Sequence, residues 1–122
     1  MATYSMRLKE IPFEKIKNQQ KTIEIRLNDQ KRQKLNVGDT IVFSNLRDSQ
    51  DTIETKVIAL YHYKTFKELV YNNPMKKFGY PKEYNKDDFT ESIYNIYSKE
   101  DENKFGVLGI EIKLKEWFIH LS

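Results

Sequence analysis

Apolar and polar residues first alternate over YSMRLK (4–9), with the period of a half-buried strand. Ile11 and Pro12 mark a boundary. Proline is well tolerated at a first helical position, and Phe13 with Ile16 gives PFEKIKNQ (12–19) one apolar face, as a short helix needs. The alternation returns in KTIEIR (21–26), with Ile23, Ile25 and Leu27 on the core-facing side and Thr22, Glu24 and Arg26 on the other. NVGD (36–39) is a turn in which Gly38 is free to take positive φ, and it launches the strand DTIVFSN (39–45), whose Ile41 and Phe43 share a face. A polar hairpin loop is expected over 45–51. The strand TIETKVIALYHY (52–63) follows, long enough to bend and help close a barrel.

Further along the chain the period changes. Thr65 with Glu68 has capping-box spacing, which predicts a helix ending near Asn72–Asn73 before Pro74. The segment MKKFGYPKEYNKDD (75–88) is turn-rich and basic-aromatic, the composition of an ordered lid. Asp87 or Asp88 can cap a helix running through Tyr97, with Phe89, Ile93, Ile96 and Tyr97 on its apolar face. KEDEN (99–103) reads as an acidic loop. The last extended run, FGVLGIEIKLKEWF (105–118), points Ile110, Ile112 and Leu114 one way, while Gly106 and Gly109 permit bending or close backbone approach. This order predicts a mixed α+β class in a single domain over 1–122: a small β-barrel of about five to six strands with flanking helices.

Composition narrows the chemistry. The 122 residues contain no cysteine, which excludes disulfides, thiol catalysis and thiolate metal sites. The two histidines, His62 and His120, form no spaced metal motif, so neither a metal nor a cofactor is expected. No long apolar run or secretory start is present, and a soluble, cytoplasmic protein without a membrane partner is the expectation. Net charge is only +3, but a nucleic-acid binder can concentrate its field in one patch. Eight tyrosines and seven phenylalanines supply rings for stacking on bases or for filling a small core.

The candidate chemistry gathers on the 21–26 strand. Side chains two apart stand about 6.6 Å apart at the backbone, so Glu24 and Arg26 can pair or clamp one polar ligand, with Lys21 leaning over the same place. The same pair also fits the open face of an antiparallel strand, where it contributes less than about 1 kcal/mol. Lys31, Arg32 and Lys34 make a basic segment suited to a phosphate backbone, or the ordinary surface of a short helix.

Three stretches together, MRLKEIPFEKIKNQQKTIEIRLND (6–29), KLNVGDTIVF (34–43) and YSKEDENKFGVLGIEI (97–112), resemble the ASCH domain family, a branch of the PUA-like barrels. Members show a short helix ending near a Gly-x-Lys element, a K-x-x-E-x-R strand, a V-G-D turn and a closing strand. The resemblance implies a small barrel with a cleft beside the first helix, suited to RNA or a modified nucleoside. It also implies two enzymatic alternatives: hydrolysis of N4-acylcytidine by a Lys, a Thr and a Glu, and a ribonuclease branch. Carried onto this chain, the Lys corresponds to Lys21, the Thr position is held by Glu24, and the Glu falls nearest Glu83. Thr22 brings a hydroxyl beside Lys21, two positions from the Thr position, and the glycine before the Lys corresponds to Gln20.

Three functions follow as expectations. An RNA- or nucleoside-binding domain would use Lys21, Thr22, Glu24 and Arg26 as its pocket and Lys31, Arg32 and Lys34 as its rim. An amidohydrolase would use Lys21 as base, or Glu24 to activate water while Lys21 stabilises the oxyanion, with Glu83 as a third catalytic group. A metal-independent ribonuclease would need Glu24 as base with Lys21 and Arg26 on the phosphate. A carboxylate beside Lys21 stabilises its ammonium and repels a developing oxyanion, which favours binding over hydrolysis.

Overall fold

The computed structural model describes residues 1–115. Strand β1 (Thr3–Leu8) buries Met6 and Leu8 while Arg7 stays exposed, as its alternation requires. Helix α1 (Glu10–Lys17) starts two residues before Pro12. Its first intrahelical bond is made by the N–H of Phe13 to the carbonyl of Lys9, so proline in that turn forfeits nothing. Strand β2 (Ile23–Leu27) follows, then a short 3-10 turn over Arg32–Lys34 and the strands β3 (Thr40–Asn45) and β4 (Asp48–Tyr63). Gly38 takes φ +97° in the turn that starts β3.

Two segments expected to be loops are regular. The hairpin loop expected over 45–51 contracts to Leu46 and Arg47, with β4 starting at Asp48 and Asn45 paired to it. Beyond the covered part of a sheet both faces of a hairpin meet water, so its strands are polar without being loops. The acidic KEDEN is the start of helix α4 (Lys99–Phe105). Ser98 caps it by accepting from the N–H of Asp101 at 3.1 Å, and its acidic first turn complements the helix dipole.

Between these lie α2 (Phe66–Tyr71), a 3-10 turn at Met75–Phe78 and α3 (Lys86–Ile93). Thr65 caps α2 from the expected position, with the Glu68 N–H donating to its hydroxyl at 3.1 Å. Asn85, not Asp87 or Asp88, caps α3, which stops at Ile93 instead of reaching Tyr97. The N–H groups of Ile96 and Tyr97 turn back onto the Ile93 carbonyl, so Ile96 leaves the expected apolar face and is 66% exposed. Strand β5 (Val107–Leu114) closes the described chain; positions 116–118 of the expected final run, and His120, lie outside the described residues.

The strands form one curled five-stranded sheet in the order β1-β3-β4-β5-β2, parallel between β1 and β3 and antiparallel elsewhere. A register shift between Val57 and Ala59 bends the sixteen-residue β4. The result is a half-barrel with four flanking helices. One core cluster joins Phe13 and Ile16 of α1 to Ile41, Phe43, Val57 and Ile110 of the sheet. A second packs α2 and α3 on Ile23, Leu27 and Val107. Gly109 permits that second contact: a Cβ there would stand 2.8 Å from a Leu69 methyl group. The outer strands β1 and β2 face each other across the open side, and among the described residues no backbone ladder joins them.

Candidate functional site

The open side of the half-barrel is a cleft of about 390 Å³. Its floor comes from β2. Glu24 is 4% exposed and accepts from two cations: the Lys21 ammonium at 2.8 Å on one oxygen and the Arg26 Nε at 2.7 Å on the other. Arg26 also donates from Nη2 to the Arg7 carbonyl at 2.9 Å, bridging the edge of β2 to the edge of β1. Burial pushes the Glu24 carboxyl up, but Lys21 and Arg26, through charge and direct hydrogen bonds, outweigh it and leave the carboxyl below its ordinary range. Burial pushes Arg26 down, and the charge of Glu24 outweighs that to leave it raised.

Lys21 reaches this position through the end of α1. The Gln20 N–H donates to the Lys15 carbonyl and the Gln19 N–H to that of Ile16, a Schellman closure that requires a left-handed residue; Gln19 holds it at φ +62°. A Gly-x-Lys spacing counted back from Lys21 lands on Gln19 rather than Gln20, so the residue whose replacement strains this turn is Gln19. The Thr22 N–H then bonds the Lys77 carbonyl, fixing the chain as it enters β2.

Other elements complete the walls. Phe78, Tyr80, Phe89, Ile93 and Tyr97 bring apolar and aromatic surface, and Lys15 lies 4.3 Å over the Tyr80 ring while donating to the Gly79 carbonyl. Tyr97 stacks on Phe66 with centroids 5.6 Å apart. Exposed Arg7 and Lys9 stand at the mouth with the exposed aliphatics Ile11, Leu46 and Ile96.

The structure thus brings Lys21, Glu24 and Arg26 together and separates the other expected site residues from them. Thr22 precedes β2 and lines a smaller neighbouring hollow with Glu111 and Lys113. Glu83 lies exposed in the turn before α3 and does not line the cleft. Lys31 and Lys34 are exposed, and Arg32 pairs with Asp29 at 3.2 Å. Ile25, expected in the core, is half-buried and faces the cleft. Arg7 and Lys9 carried a usable signal, since the alternation that buries Met6 and Leu8 turns them outward. Tyr80 and Tyr97 carried none, because nothing local separates a wall tyrosine from a core one. Among the described residues no group of three or more His, Asp or Glu side chains is placed to hold a metal, and no helix is long and apolar enough to cross a membrane.

Several solved structures are similar to this chain, among them the following three. Hypothetical protein PH0355 is 30% identical with a TM-score of 0.80, over 93% of this chain and 99% of its own. Protein PF0455 from Pyrococcus furiosus is 29% identical with a TM-score of 0.69, over 95% and 99%. An ASCH domain from Lactobacillus crispatus JV V101 is 14% identical with a TM-score of 0.63, over 93% and 79%, a likeness of fold alone. No curated protein matches the chain. The family model of the ASCH domain matches residues 6–116, from the middle of β1 through β5 and therefore across every strand that forms the cleft; the chain belongs to the ASCH domain family.

Proposed function

We propose that this chain binds RNA, or the corresponding free modified nucleoside, by taking one base into the cleft. The observation that carries this reading is a polar floor in a cavity of nucleoside size. About 390 Å³ lies within the usual range for small-ligand sites, and the walls are mainly apolar with a few convergent polar groups. Tyr80 and Tyr97 supply rings against which an unstacked base can lie, and Arg7 and Lys9 at the mouth suit a backbone phosphate. The floor supports binding more than hydrolysis. Both Glu24 oxygens are engaged by cations and its carboxyl is held below its ordinary range, so it is a poor base, while its charge opposes an oxyanion formed beside Lys21.

Calorimetric titration of the chain with single nucleosides and with short single-stranded RNA tests this. Saturable binding that weakens at least tenfold in Lys21→Ala, with N4-acetylcytidine left intact in the same samples, is the expected result. Equal affinity in the variant would remove the cleft assignment.

A further inference from the structure

The floor presents its polar groups in a fixed order: cation, carboxylate, cation. Lys21 spends one of its three N–H donors on Glu24, and Arg26 spends Nε on Glu24 and one Nη2 proton on Arg7. Among the described residues the remaining donors of both side chains have no partner, and both side chains line the open cleft. Glu24 lies between them with lone pairs left over, since a carboxylate has about four acceptor sites and two are used.

From this order we infer that the cleft selects the imide edge of a uracil-type base. This inference rests on the nucleoside-binding reading above and specifies its ligand. The uracil edge carries a carbonyl oxygen, an N3–H and a second carbonyl oxygen. It therefore runs acceptor, donor, acceptor, the complement of Lys21, Glu24 and Arg26. The N3–H donates to the carboxylate while the two carbonyl oxygens accept from the ammonium and the guanidinium. In that register cytosine keeps only one of the three matches. Its amino group meets a cation and its unprotonated N3 meets the carboxylate, and contacts of the wrong sign in a mostly desolvated floor discriminate strongly. The side-chain exposures of 13%, 6% and 15% for Lys21, Glu24 and Arg26 put all three where water compensates poorly. Ile25, Ile93 and Tyr97 line the cleft around them and suit the faces of a flat ring, with the sugar directed toward Arg7 and Lys9.

Titration of the wild-type chain with uridine, cytidine and 3-methyluridine decides the matter, with U6 and C6 oligonucleotides run beside them. Uridine and U6 should bind about ten- to a hundredfold more tightly than their cytosine counterparts, and 3-methyluridine should bind as poorly as cytidine. The methylated ligand probes the Glu24 contact without altering the protein. Glu24→Gln should lose the preference, in a sample whose circular dichroism matches wild type. Uridine and cytidine binding equally, or uridine and 3-methyluridine binding equally, would overturn the edge assignment while leaving base binding intact. No binding by any nucleoside or oligonucleotide would overturn both.

Discussion

Two residues carry the strain and charge that shape the site. Gln19 occupies a left-handed position that glycine fills without a side-chain penalty, and it does so two residues before Lys21. Gln19→Gly should raise stability by about 0.5–1 kcal/mol in denaturant unfolding, the relieved strain exceeding the extra freedom of the unfolded chain. A loss of stability there would show that the Gln19 side chain makes a contribution larger than its backbone cost. Glu24 works in the opposite direction. Its carboxyl is held below the ordinary glutamate range, so the folded state favours the ionised form. The stability it contributes is complete above the ordinary glutamate range and is lost as pH falls through the lower folded-state one. Glu24→Gln should therefore cost about 2 kcal/mol at pH 7, since two poorly solvated cations lose their partner, and the deficit should shrink below pH 4. Unfolding midpoints measured from pH 7 to pH 3 check this; parallel curves for the two proteins would contradict it.

At the scale of elements, what could be read in the sequence depended on whether a local rule or a distant contact decided the outcome. The β2 strand, the Thr65 cap and the turn at Gly38 are local, and each stands where the sequence put it, although Ile25 of β2 faces the cleft instead of the core. Helix α4 was hidden because its KEDEN run has no apolar stripe. Its one buried side chain is a carboxylate: Glu102 accepts from the Phe66 N–H at 2.7 Å and the Tyr94 hydroxyl at 2.8 Å, while Phe105 at its end packs half-buried against the second core cluster. Burial and that carboxylate push the Tyr94 hydroxyl up to about 12, so the bond persists throughout the neutral range. A charged residue that ties three helices together cannot be told from a solvated one by pattern, because its partners lie elsewhere in the chain. Glu102→Ala should cost about 2–4 kcal/mol through the unpaired buried N–H and hydroxyl, with Glu102→Gln recovering part of it. A cost below about 0.5 kcal/mol in urea unfolding would mean that α4 docks by other contacts.

At the scale of the whole molecule, the cleft exists because the sheet curls without closing, and its lining comes from β1, α1, β2, the β3–β4 turn, the 3-10 turn at Met75–Phe78 with Tyr80 after it, α3 and the segment after α3. No single stretch contains it, which is why the triad of Lys21, Glu24 and Arg26 was legible and the walls were not. The same geometry gives a course for a bound strand. Arg7 and Lys9 line the cleft, whereas Lys31, Arg32 and Lys34 do not, although Arg32 stands near enough to Tyr97 for its charge to act on that hydroxyl. A single nucleoside in the cleft would not reach Lys31 or Lys34; an oligonucleotide passing over Tyr97 would. Lys31→Ala with Lys34→Ala should therefore leave nucleoside affinity unchanged and weaken oligonucleotide binding, lowering the slope of log affinity against log salt by about 1.4 for two lost single-strand phosphate contacts. Arg7→Ala with Lys9→Ala should weaken oligonucleotides by a similar amount through the mouth. Titrations at two salt concentrations separate these outcomes. An unchanged slope in the Lys31 and Lys34 variant would return the 3-10 turn to ordinary surface and confine the bound strand to the mouth.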